Sequence, residues 1–432
     1  MEKVVNVVGA GLAGCEAAYQ LSKRGIKVKL YEMKKIKKSP AHKLDTFAEL
    51  VCSNSLRSSE IKNAVGLMKE ELRMMDSLII RAADSTKVSA GASLSVDRTL
   101  FSEYITNEIK NNPLIEIIDE EVTNIPQGPT ILASGPLTSE SLSNSLKEFT
   151  GSDYLYFYDA IAPVILKDSI DFNKAYYKSR WDKGDADYIN CPFTKEEYIN
   201  WYNELIKLES VEAHDFEIKV FEGCMPFEEM AKRGIDTLRF GPMKPVGLHY
   251  NGMKPYAVVQ LREDNIIKTM YNIVGFQTKL KYGSQDKIIR MIPGLENAEI
   301  IRHGEMHRNT FINAPSTINE YYQTKKREDL FIAGQLSGVE GYVESTASGL
   351  VAGINMARYL NNLPLISFPK TTSIGSQAYY ISHVSENDFE PMNTNFGIFP
   401  QLDIVTKKAD RKMAYVERAL KDLKEFKNES KE

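Results

Sequence analysis

The sequence predicts an α/β fold, and three features near its start support this. Residues 4–8 are nearly all apolar, which is typical of a strand buried on both faces of a parallel sheet. A glycine-rich turn follows at 9–14, and residues 15–24 have helical composition, with Gly25 as a natural C-terminal stop. Residues 26–31 then form a second apolar-rich segment. These features together predict a βαβ unit.

The turn between the first strand and the helix has the composition of a phosphate-binding loop. Its residues are Gly9, Ala10, Gly11, Leu12, Ala13 and Gly14. Glycines permit a tight turn and close backbone approach, and the helix N-terminus offers N–H groups to a pyrophosphate. Glu32 follows about twenty positions later, where a ribose hydroxyl would be bound, and its acidity favours FAD or NAD. An ordinary strand-to-helix turn is the alternative, which this context disfavours.

Two later segments resemble each other and predict that the nucleotide-binding domain is split. Residues 130–136 are similar to the second strand motif of two-dinucleotide-type flavoproteins, and residues 329–335 repeat the pattern, ending at Gly334 and Gln335. A helix rich in small residues follows at 341–353, and in this class such a late segment completes the FAD site. No second glycine loop follows a strand elsewhere, so NADH or NADPH would visit only as a reductant.

The predicted fold is therefore a Rossmann-like two-dinucleotide-type FAD-binding domain with an inserted mixed α+β domain. The tail from Lys407 onward has the composition of a charged surface helix. The predicted domains are the first part of the FAD-binding domain at 1–150, the inserted substrate- and RNA-binding domain at 151–290, and the second part with the helical tail at 291–432.

The composition excludes several classes of protein. With 43% hydrophobic and 26% charged residues, the chain has no apolar run of the roughly 18 residues that span a membrane. The N-terminus lacks the regions of a secretory signal, which favours the cytoplasm. Its four cysteines form no Cys-x-x-Cys pair, so a disulfide scaffold or a metal site is not expected.

The charge pattern neither indicates nor excludes a nucleic-acid partner. A net charge of −4 does not indicate a nucleic-acid-binding protein, although a local basic patch could serve. Solvation of surface charges is the commoner explanation for such runs. The candidate basic residues are Lys34, Lys35, Lys37, Lys38, Lys325, Lys326 and Arg327.

Two of the cysteines lie in dense polar segments, which is unusual for an apolar core filler. Cys52 lies within 47–57 and Cys224 within 221–226. Thiolate chemistry beside a flavin or nicotinamide is therefore the hypothesis for both. Cys15 and Cys191 are predicted to be buried structural residues, which is the commonest fate of a cysteine without a disulfide.

Four segments carry a resemblance to a known family, and the match covers nearly the whole chain. They are Gly9–Gly14, Phe47–Ser58, Phe221–Leu248 and Ile332–Gly353. On these motifs the chain resembles the TrmFO family, the folate- and FAD-dependent tRNA uracil-5 methyltransferases related to the larger tRNA-modifying flavoprotein MnmG.

The resemblance implies transfer of a one-carbon unit from 5,10-methylenetetrahydrofolate to C5 of uridine 54 in the T loop of tRNA. The product would be 5-methyluridine, with FADH2 as the reductant and NADH or NADPH regenerating it. The resemblance implies Cys224 as the thiolate that adds to uracil C6, with Cys52 as the second thiol, either as a base or as a partner of the carried methylene. Tyr342 would stack on the isoalloxazine or folate ring, or instead pack on the sheet.

Other polar residues remain candidates with open alternatives. Lys232, Arg233 and Arg239 would lower the pKa of Cys224, bind phosphate, or be surface residues. A second cluster would hold RNA phosphate or the folate glutamate, with His307 as a possible base. Its members are Arg302, His303, His307, Arg308 and Asn309.

Three other functions are alternatives to methylation of a tRNA uridine. The same chemistry on a ribosomal RNA uridine would share every motif. A general flavin-dependent oxidoreductase would need only the cofactor site. A non-catalytic, flavin-bound RNA-binding protein would not need both Cys52 and Cys224, so their presence argues against it.

Overall fold

The computed structural model describes most of the chain in atomic detail. It covers residues 3–39, 41–151, 155–160, 162–182, 185–210, 225–265, 267–387, 389–403, 407 and 409–431, with residues 155–160 and 306–308 described by their backbone alone.

The strands of the described residues fall into four sheets. They are β1 (Val4–Val8), β2 (Lys27–Glu32), β3 (Ser55–Ser58), β4 (Lys87–Val88), β5 (Ser93–Val96), β6 (Ile115–Asp119), β7 (Thr130–Leu132), β8 (Leu155–Ala160), β9 (Val164–Leu166), β10 (Tyr176–Tyr177), β11 (Tyr188–Phe193), β12 (Ala257–Glu263), β13 (Met270–Ile273), β14 (Ile300–Arg302), β15 (Met306–Phe311) and β16 (Leu330–Ile332).

The helices pack on these sheets and on one another. They are α1 (Leu12–Lys23), α2 (Ala64–Met74), α3 (Leu78–Ser85), α4 (Arg98–Lys110), α5 (Glu140–Thr150), α6 (Lys195–Leu205), α7 (Phe227–Lys232), α8 (Thr237–Phe240), α9 (Tyr282–Ile289), α10 (Ala314–Thr317), α11 (Tyr342–Leu360), α12 (Ser373–His383) and α13 (Arg411–Ser430).

The nucleotide-binding half is built on a five-stranded parallel sheet in the order β16-β7-β1-β2-β6. Each pair of neighbours runs parallel, and Val8 at the end of β1 lies opposite Tyr31 of β2 and Leu132 of β7. The late strand β16 therefore completes a sheet that the first 132 residues begin, which confirms the predicted split α/β fold. Parallel strands end at one edge, so the loops after β1, β7 and β16 meet there.

Helix α1 lies unusually close to α11 because two glycines of α11 face it. A Cβ atom on Gly349 would come 2.2 Å from the carbonyl oxygen of Ala13, and one on Gly353 would come 2.9 Å from that of Ala17. Only glycine permits such an approach of two helix backbones. The small residues of α11 therefore fix the position of the N-terminus of α1.

The inserted half is built on a six-stranded antiparallel sheet in the order β10-β11-β12-β13-β9-β14. A separate two-stranded ribbon of β8 and β15 lies where the chain leaves the first half and returns to it. Strand β14 ends at Arg302, so this sheet continues twelve residues beyond the predicted domain end at 290. An aromatic core that includes Phe193, Tyr198 and Trp201 supports it.

The C-terminal helix α13 is a packed element as well as a charged one. It buries Tyr415, Val416, Ala419 and Leu423 on one face, although the sequence predicts a surface helix. Charged residues cover its other face. Within the described part of the chain, the helices include none with the length and apolarity needed to cross a membrane.

Candidate active site

A cavity of about 410 Å³ opens at the edge of the parallel sheet where β1, β7 and β16 end. Its size lies within the usual range for small-molecule and cofactor sites. Nine of the predicted cofactor-binding residues line it, which are Gly9, Ala10, Gly11, Leu12, Ala13, Glu32, Gly334, Gln335 and Tyr342. Gly14 is not on this wall. A Cβ atom there would come 1.8 Å from the carbonyl oxygen of Gly9, so the structure assigns Gly14 to close backbone packing.

The glycine loop leaves room for a ligand in front of α1. Gly9 has φ +98°, a conformation that favours glycine, and its N–H donates to the carbonyl oxygen of Tyr31 at 2.8 Å. At Gly11, a side chain would begin in open space on the cavity side. The first turn of α1 leaves backbone N–H groups without intrahelical acceptors, and these are the usual donors to a pyrophosphate.

Glu32 closes the other side of this loop. Its two carboxylate oxygens accept hydrogen bonds from the N–H groups of Ala10 and Lys34, each at 2.9 Å. A carboxylate has about four acceptor positions, so further capacity remains for a ribose hydroxyl. The glycine loop, the N-terminus of α1 and Glu32 together fit the dinucleotide portion of FAD.

The late segment supplies the opposite wall. Gly334 donates its N–H to the Ser348 hydroxyl at 2.7 Å, and Gln335 donates its side-chain amide to Glu340 at 2.7 Å. At the start of α11 the fully buried carboxylate of Glu344 forms an ion pair with Arg57 and accepts the N–H of Thr394 at 2.8 Å. The N-terminus of α11 therefore already holds a protein carboxylate beside the cavity.

Cys52 lies on the wall of the same cavity, half-buried, in a segment that is held from several sides. The Tyr342 hydroxyl accepts hydrogen bonds from the N–H groups of Cys52 at 2.8 Å and Ser53 at 3.3 Å. Burial raises the pKa of the Tyr342 hydroxyl. A neutral tyrosine thus fixes the backbone that carries Cys52.

Of the other three cysteines, Cys15 and Cys191 belong to the described residues. Cys224 and most of its motif lie outside the described residues. Cys15 and Cys191 are fully buried, as the sequence predicts, and burial raises the pKa of both thiols. In the described part of the chain, no group of three or more His, Cys, Asp or Glu side chains is placed to hold a metal ion.

The family is decided by comparison with known proteins. The family model described as glucose inhibited division protein A matches residues 4–364. Proteins named methylenetetrahydrofolate–tRNA-(uracil-5-)-methyltransferase TrmFO from Bacillus licheniformis and Bacillus subtilis are each 58% identical to this chain. The first match covers 98% of this chain and 99% of the relative, and the second covers 98% of both.

The chain belongs to the TrmFO family.

The fold of this TrmFO-family chain is similar to that of a solved protein named GidA. Two crystal forms of Aquifex aeolicus GidA match with TM-scores of 0.70 and 0.71 at 18% identity. Each match covers 98% of this chain, and it covers 73% and 76% of the GidA chain, respectively. At this identity the likeness establishes the fold alone.

Most basic side chains in the two lysine-rich runs of this TrmFO-family member bind to carboxylates or carbonyl oxygens of the protein itself. Lys34 is 4% exposed, and its ammonium group donates to the carbonyl oxygen of Thr46, so the predicted surface position is wrong for this residue. Its neighbours form ion pairs with carboxylates. These pairs are Lys35–Asp119 at 2.6 Å, Lys37–Glu121 at 2.9 Å and Lys38–Asp45 at 2.7 Å.

The basic side chains at 325–327 also bind to groups of the protein itself. Lys325 and Lys326 donate to backbone carbonyl oxygens, and Arg327 pairs with Asp329 at 2.6 Å. Of the residues near the Cys224 motif, Lys232 pairs with Glu229 at 2.9 Å and Arg239 pairs with Asp236 at 2.7 Å.

The predicted cluster at 302–309 is divided between two environments. Asn309 lines the cavity, and Cys52 and Tyr342 act electrostatically on the Arg302 guanidinium. His303 instead stacks on Tyr282, with ring centroids 4.5 Å apart, and contacts Asp286 at 2.9 Å. The side chains of His307 and Arg308 lie outside the described residues.

Three residues at the site are not predicted from the sequence. Arg57 and Arg262 line the cavity, and Arg98 is 8% exposed behind the Cys52 segment. A signal for Arg262 exists, because it lies in a strand with four apolar residues, Ala257, Val258, Val259 and Leu261, and arginine is rarely buried without a purpose. No comparable signal marks Arg57 or Arg98, since tertiary packing alone brings them here.

Proposed function

We propose that this chain is a methyltransferase that acts on C5 of uridine 54 in the T loop of tRNA. It uses 5,10-methylenetetrahydrofolate as the one-carbon donor, FAD as its bound cofactor and NADH or NADPH as the reductant. The observation that carries the proposal is that Cys52 and the glycine loop line a single cavity. The two relatives that bear this enzyme name match over nearly the whole chain at 58% identity.

The chemistry requires a thiolate because uracil C5 is a weak nucleophile. Addition of the Cys224 thiolate at C6 makes C5 an enolate carbon, which forms a bond to the methylene carbon of the folate. Cys52 then accepts the proton from C5. The electron pair left at C5 expels tetrahydrofolate from the methylene carbon, which leaves an exocyclic methylene group on the base while Cys224 stays bonded to C6.

The cofactor supplies the last two electrons. Reduced FAD, when bound, would supply a hydride to the methylene carbon, and NAD(P)H would restore the reduced flavin. The electron pair that this addition moves to C5 expels the Cys224 thiolate from C6 and leaves a methyl group on C5. The residues that would hold FAD are the glycine loop, Glu32, Gly334 and Gln335. The Tyr342 hydroxyl keeps Cys52 on the cavity wall during these steps. The expected location of this reaction is the cytoplasm.

A direct assay tests the proposal. Purified protein is incubated with NADH or NADPH, labelled methylenetetrahydrofolate, and either unmodified tRNA or ribosomal RNA transcripts, and the nucleosides are analysed for 5-methyluridine. Cys52→Ala and Cys224→Ala variants are expected to lose methylation while they retain FAD. Cys191→Ala, which alters a buried cysteine in β11, is the matched control and should remain active.

Each outcome separates one alternative from the others. Label in the tRNA T loop supports the proposal, whereas label in ribosomal RNA alone selects the related substrate. A yellow protein that oxidises NAD(P)H and labels neither RNA is a general flavin oxidoreductase. Full activity in Cys52→Ala would remove Cys52 from the reaction.

A further inference from the structure

The segment from α8 to β12 concentrates positive charge in an acidic protein. Residues 237–262 contain no Asp or Glu, whereas the whole chain has a formal net charge of −4. Two lysines of this range, Lys244 and Lys254, are exposed. Within the described part of the chain, neither of their ammonium groups forms an ion pair with a carboxylate. The surface here therefore offers positive charge that an external anion can neutralise.

Large apolar side chains are exposed on the same segment. Phe240 is 74% exposed, and Val246, Tyr250 and Met253 are each at least 41% exposed. Trp181, from the turn that follows β10, is 61% exposed. Single exposed apolar residues are ordinary in a soluble protein, but a group of them on one surface marks an interaction site.

Direct contacts hold Trp181 against the loop at 244–247. Nη1 of Arg180 donates to the carbonyl oxygen of Lys244 at 3.0 Å, and the N–H of Trp181 donates to that of Gly247 at 3.0 Å. A Cβ atom on Gly247 would come 2.9 Å from the indole ring, so this ring lies directly on the Gly247 backbone. The backbone therefore supports one face of the indole, and the exposure of Trp181 leaves its other face open to a ligand.

Tyr250 is supported by the same loop and by the sheet beneath it. Its ring stacks on that of buried Tyr176 in β10, with ring centroids 4.4 Å apart. The Tyr176 hydroxyl in turn donates to the carbonyl oxygen of Leu248 at 2.5 Å. Packing on the six-stranded sheet therefore presents Tyr250 and Trp181 on one surface. This aromatic–lysine face consists of Trp181, Phe240, Lys244, Tyr250 and Lys254.

The Phe240 end of this face lies beside the cavity wall. Two residues after Phe240, the ring of Pro242 packs so closely on Gly275 that a Cβ atom there would come 2.5 Å from Cβ of the proline. Gln277, two residues after Gly275, lines the cavity. The aromatic–lysine face therefore begins next to the loop that supplies this part of the cavity wall.

The charge and the ring surfaces together identify the partner as RNA with unpaired bases. Such RNA offers phosphates to the ammonium groups and bases that stack on exposed aromatic side chains. Double-stranded RNA would meet the charge but not the rings, because its bases are already stacked on one another. An apolar protein surface would contact the rings and make no use of the two lysines. Asp182, in the turn that carries Trp181, pairs with Lys178 at 2.7 Å, so its charge is already balanced.

We propose that the aromatic–lysine face binds unpaired nucleotides of the RNA loop that presents the target uridine to the cavity. Trp181 and Phe240 stack on bases, and Lys244 and Lys254 contact phosphates. The inference deepens the proposed function and rests on it for the identity of the RNA.

The experiment measures the affinity of the full-length, FAD-bound protein for a fluorescent, unmodified tRNA transcript by anisotropy at several KCl concentrations. The variants are Trp181→Ala, Trp181→Tyr, Phe240→Ala and the double change of Lys244→Ala with Lys254→Ala. Leu363→Ala and Lys424→Ala are the matched controls, since Leu363 is 49% exposed after α11 and Lys424 is exposed on α13. FAD content and urea denaturation check that each variant folds. If Trp181→Ala fails this check, Phe240→Ala tests the rings alone.

Loss of either ring should weaken RNA binding about tenfold, as for other bases that stack on aromatic side chains. Trp181→Tyr keeps a ring, so it should bind more tightly than Trp181→Ala. The double lysine variant should reduce the slope of log affinity against log salt concentration by about 1.4, which corresponds to two phosphate contacts on single-stranded RNA. Both control variants should match the wild type.

Unchanged RNA affinity in the ring variants, or an unchanged salt slope in the lysine variant, would overturn the proposal. Sedimentation velocity detects the competing occupant, a second copy of the chain. A Trp181→Ala protein that loses a dimer and keeps its RNA affinity would also overturn the proposal.

Failure of this inference and failure of the proposed function are distinguishable, because binding does not require methylation. Ring-dependent binding by a protein that methylates no RNA would retain this inference and reject the proposed function. Methylation of tRNA by a protein whose variants all bind as the wild type does would reject this inference alone.

Discussion

The hydroxyl of Tyr342 accepts the backbone N–H of Cys52 at 2.8 Å, and this contact joins two segments 290 residues apart. Tyr342 begins α11, whose position against α1 is set by glycine contacts. The contact therefore places Cys52 relative to the glycine loop through a short, rigid path. If the Tyr342 ring stacks on the isoalloxazine or on the folate ring, it must do so while its hydroxyl keeps this contact.

Replacement of Tyr342 by Phe removes the acceptor for both N–H groups. We expect the free energy of unfolding to fall by about 1 kcal/mol, because the partly buried N–H groups of Cys52 and Ser53 lose their hydrogen-bond acceptor. Turnover should fall about tenfold or more, since the Cys52 segment is no longer held in place. Urea denaturation and methylation rates measure the two effects. Tyr359→Phe, on the same helix, is the control, and equal behaviour of the two variants would contradict this role for the hydroxyl.

Glu32→Gln tests the carboxylate beside the glycine loop. Glutamine keeps one oxygen acceptor, but its amide cannot accept from the second backbone N–H, and it removes the charge beside Ala10 and Lys34. We expect FAD affinity to fall about tenfold or more, as for other hydrogen bonds to charged groups. Fluorescence titration of the FAD-free protein measures this change. Glu116→Gln, an exposed change on β6, should leave the affinity unaltered.

Much of the fold and the cofactor wall follows from local sequence. The glycine loop and Glu32 belong to one βαβ unit, so their proximity depends on a short, regular connection. The parallel strands then bring Gly334 and Gln335 to the same edge of the sheet. Repeated strand-and-turn patterns in the sequence are sufficient to predict this arrangement.

The environment of Cys52 does not follow from local sequence. Arg98 comes near Cys52 through the pairing of β3 with β5, whereas Arg262 and Arg302 belong to the six-stranded sheet of the inserted half. Lys34 shows the opposite case. A run of four lysines within five residues predicts exposed side chains, yet the Lys34 side chain is buried. Composition reports the average environment of a run but not the direction of each side chain.

Gly349→Ala tests the close contact between α1 and α11. The new Cβ would lie 2.2 Å from the Ala13 carbonyl oxygen, and two helix backbones must separate to relieve this overlap. We expect a loss of about 1–3 kcal/mol in the free energy of unfolding and weaker FAD binding, because Ala13 lines the cavity.

Gly283→Ala is the matched control for that substitution. Gly283 lies in α9, where a Cβ would meet nothing within 4 Å. This variant should be neutral or more stable by up to about 1 kcal/mol, through helix propensity alone. A stable, FAD-replete Gly349→Ala protein would show that the helices can separate at little cost.

Glu71 makes the stability of the protein depend on pH. Its buried carboxyl accepts the N–H groups of Ser373 at 2.7 Å and Ile374 at 2.9 Å, at the start of α12. Burial raises its pKa to about 8, above the unfolded value of 4.5. Between these values the unfolded chain releases this proton and the folded chain keeps it, so the contribution of Glu71 to stability decreases as pH rises.

Comparison with Glu71→Gln isolates this contribution. Glutamine does not titrate, so the difference in unfolding free energy, wild type minus variant, should fall steadily from pH 5 to about 8 and then level off. Urea denaturation at several pH values measures it. A difference that is constant over this interval would show that Glu71 does not titrate there.

The ion pair between Arg57 and Glu344 is expected to be energetically coupled. Glu344 is fully buried, so loss of Arg57 leaves its carboxylate with the Thr394 N–H but without a cation. We expect Arg57→Met to lower the free energy of unfolding by about 2 kcal/mol, less than for a fully buried pair because Arg57 is 35% exposed. Glu344→Gln removes the buried charge, so the double variant should be more stable than the sum of the single changes predicts.

Arg73→Met is the control, since Arg73 pairs with exposed Asp84 at 2.7 Å and should change stability by at most about 1 kcal/mol. Strict additivity of Arg57→Met and Glu344→Gln would show that the two groups do not interact in solution.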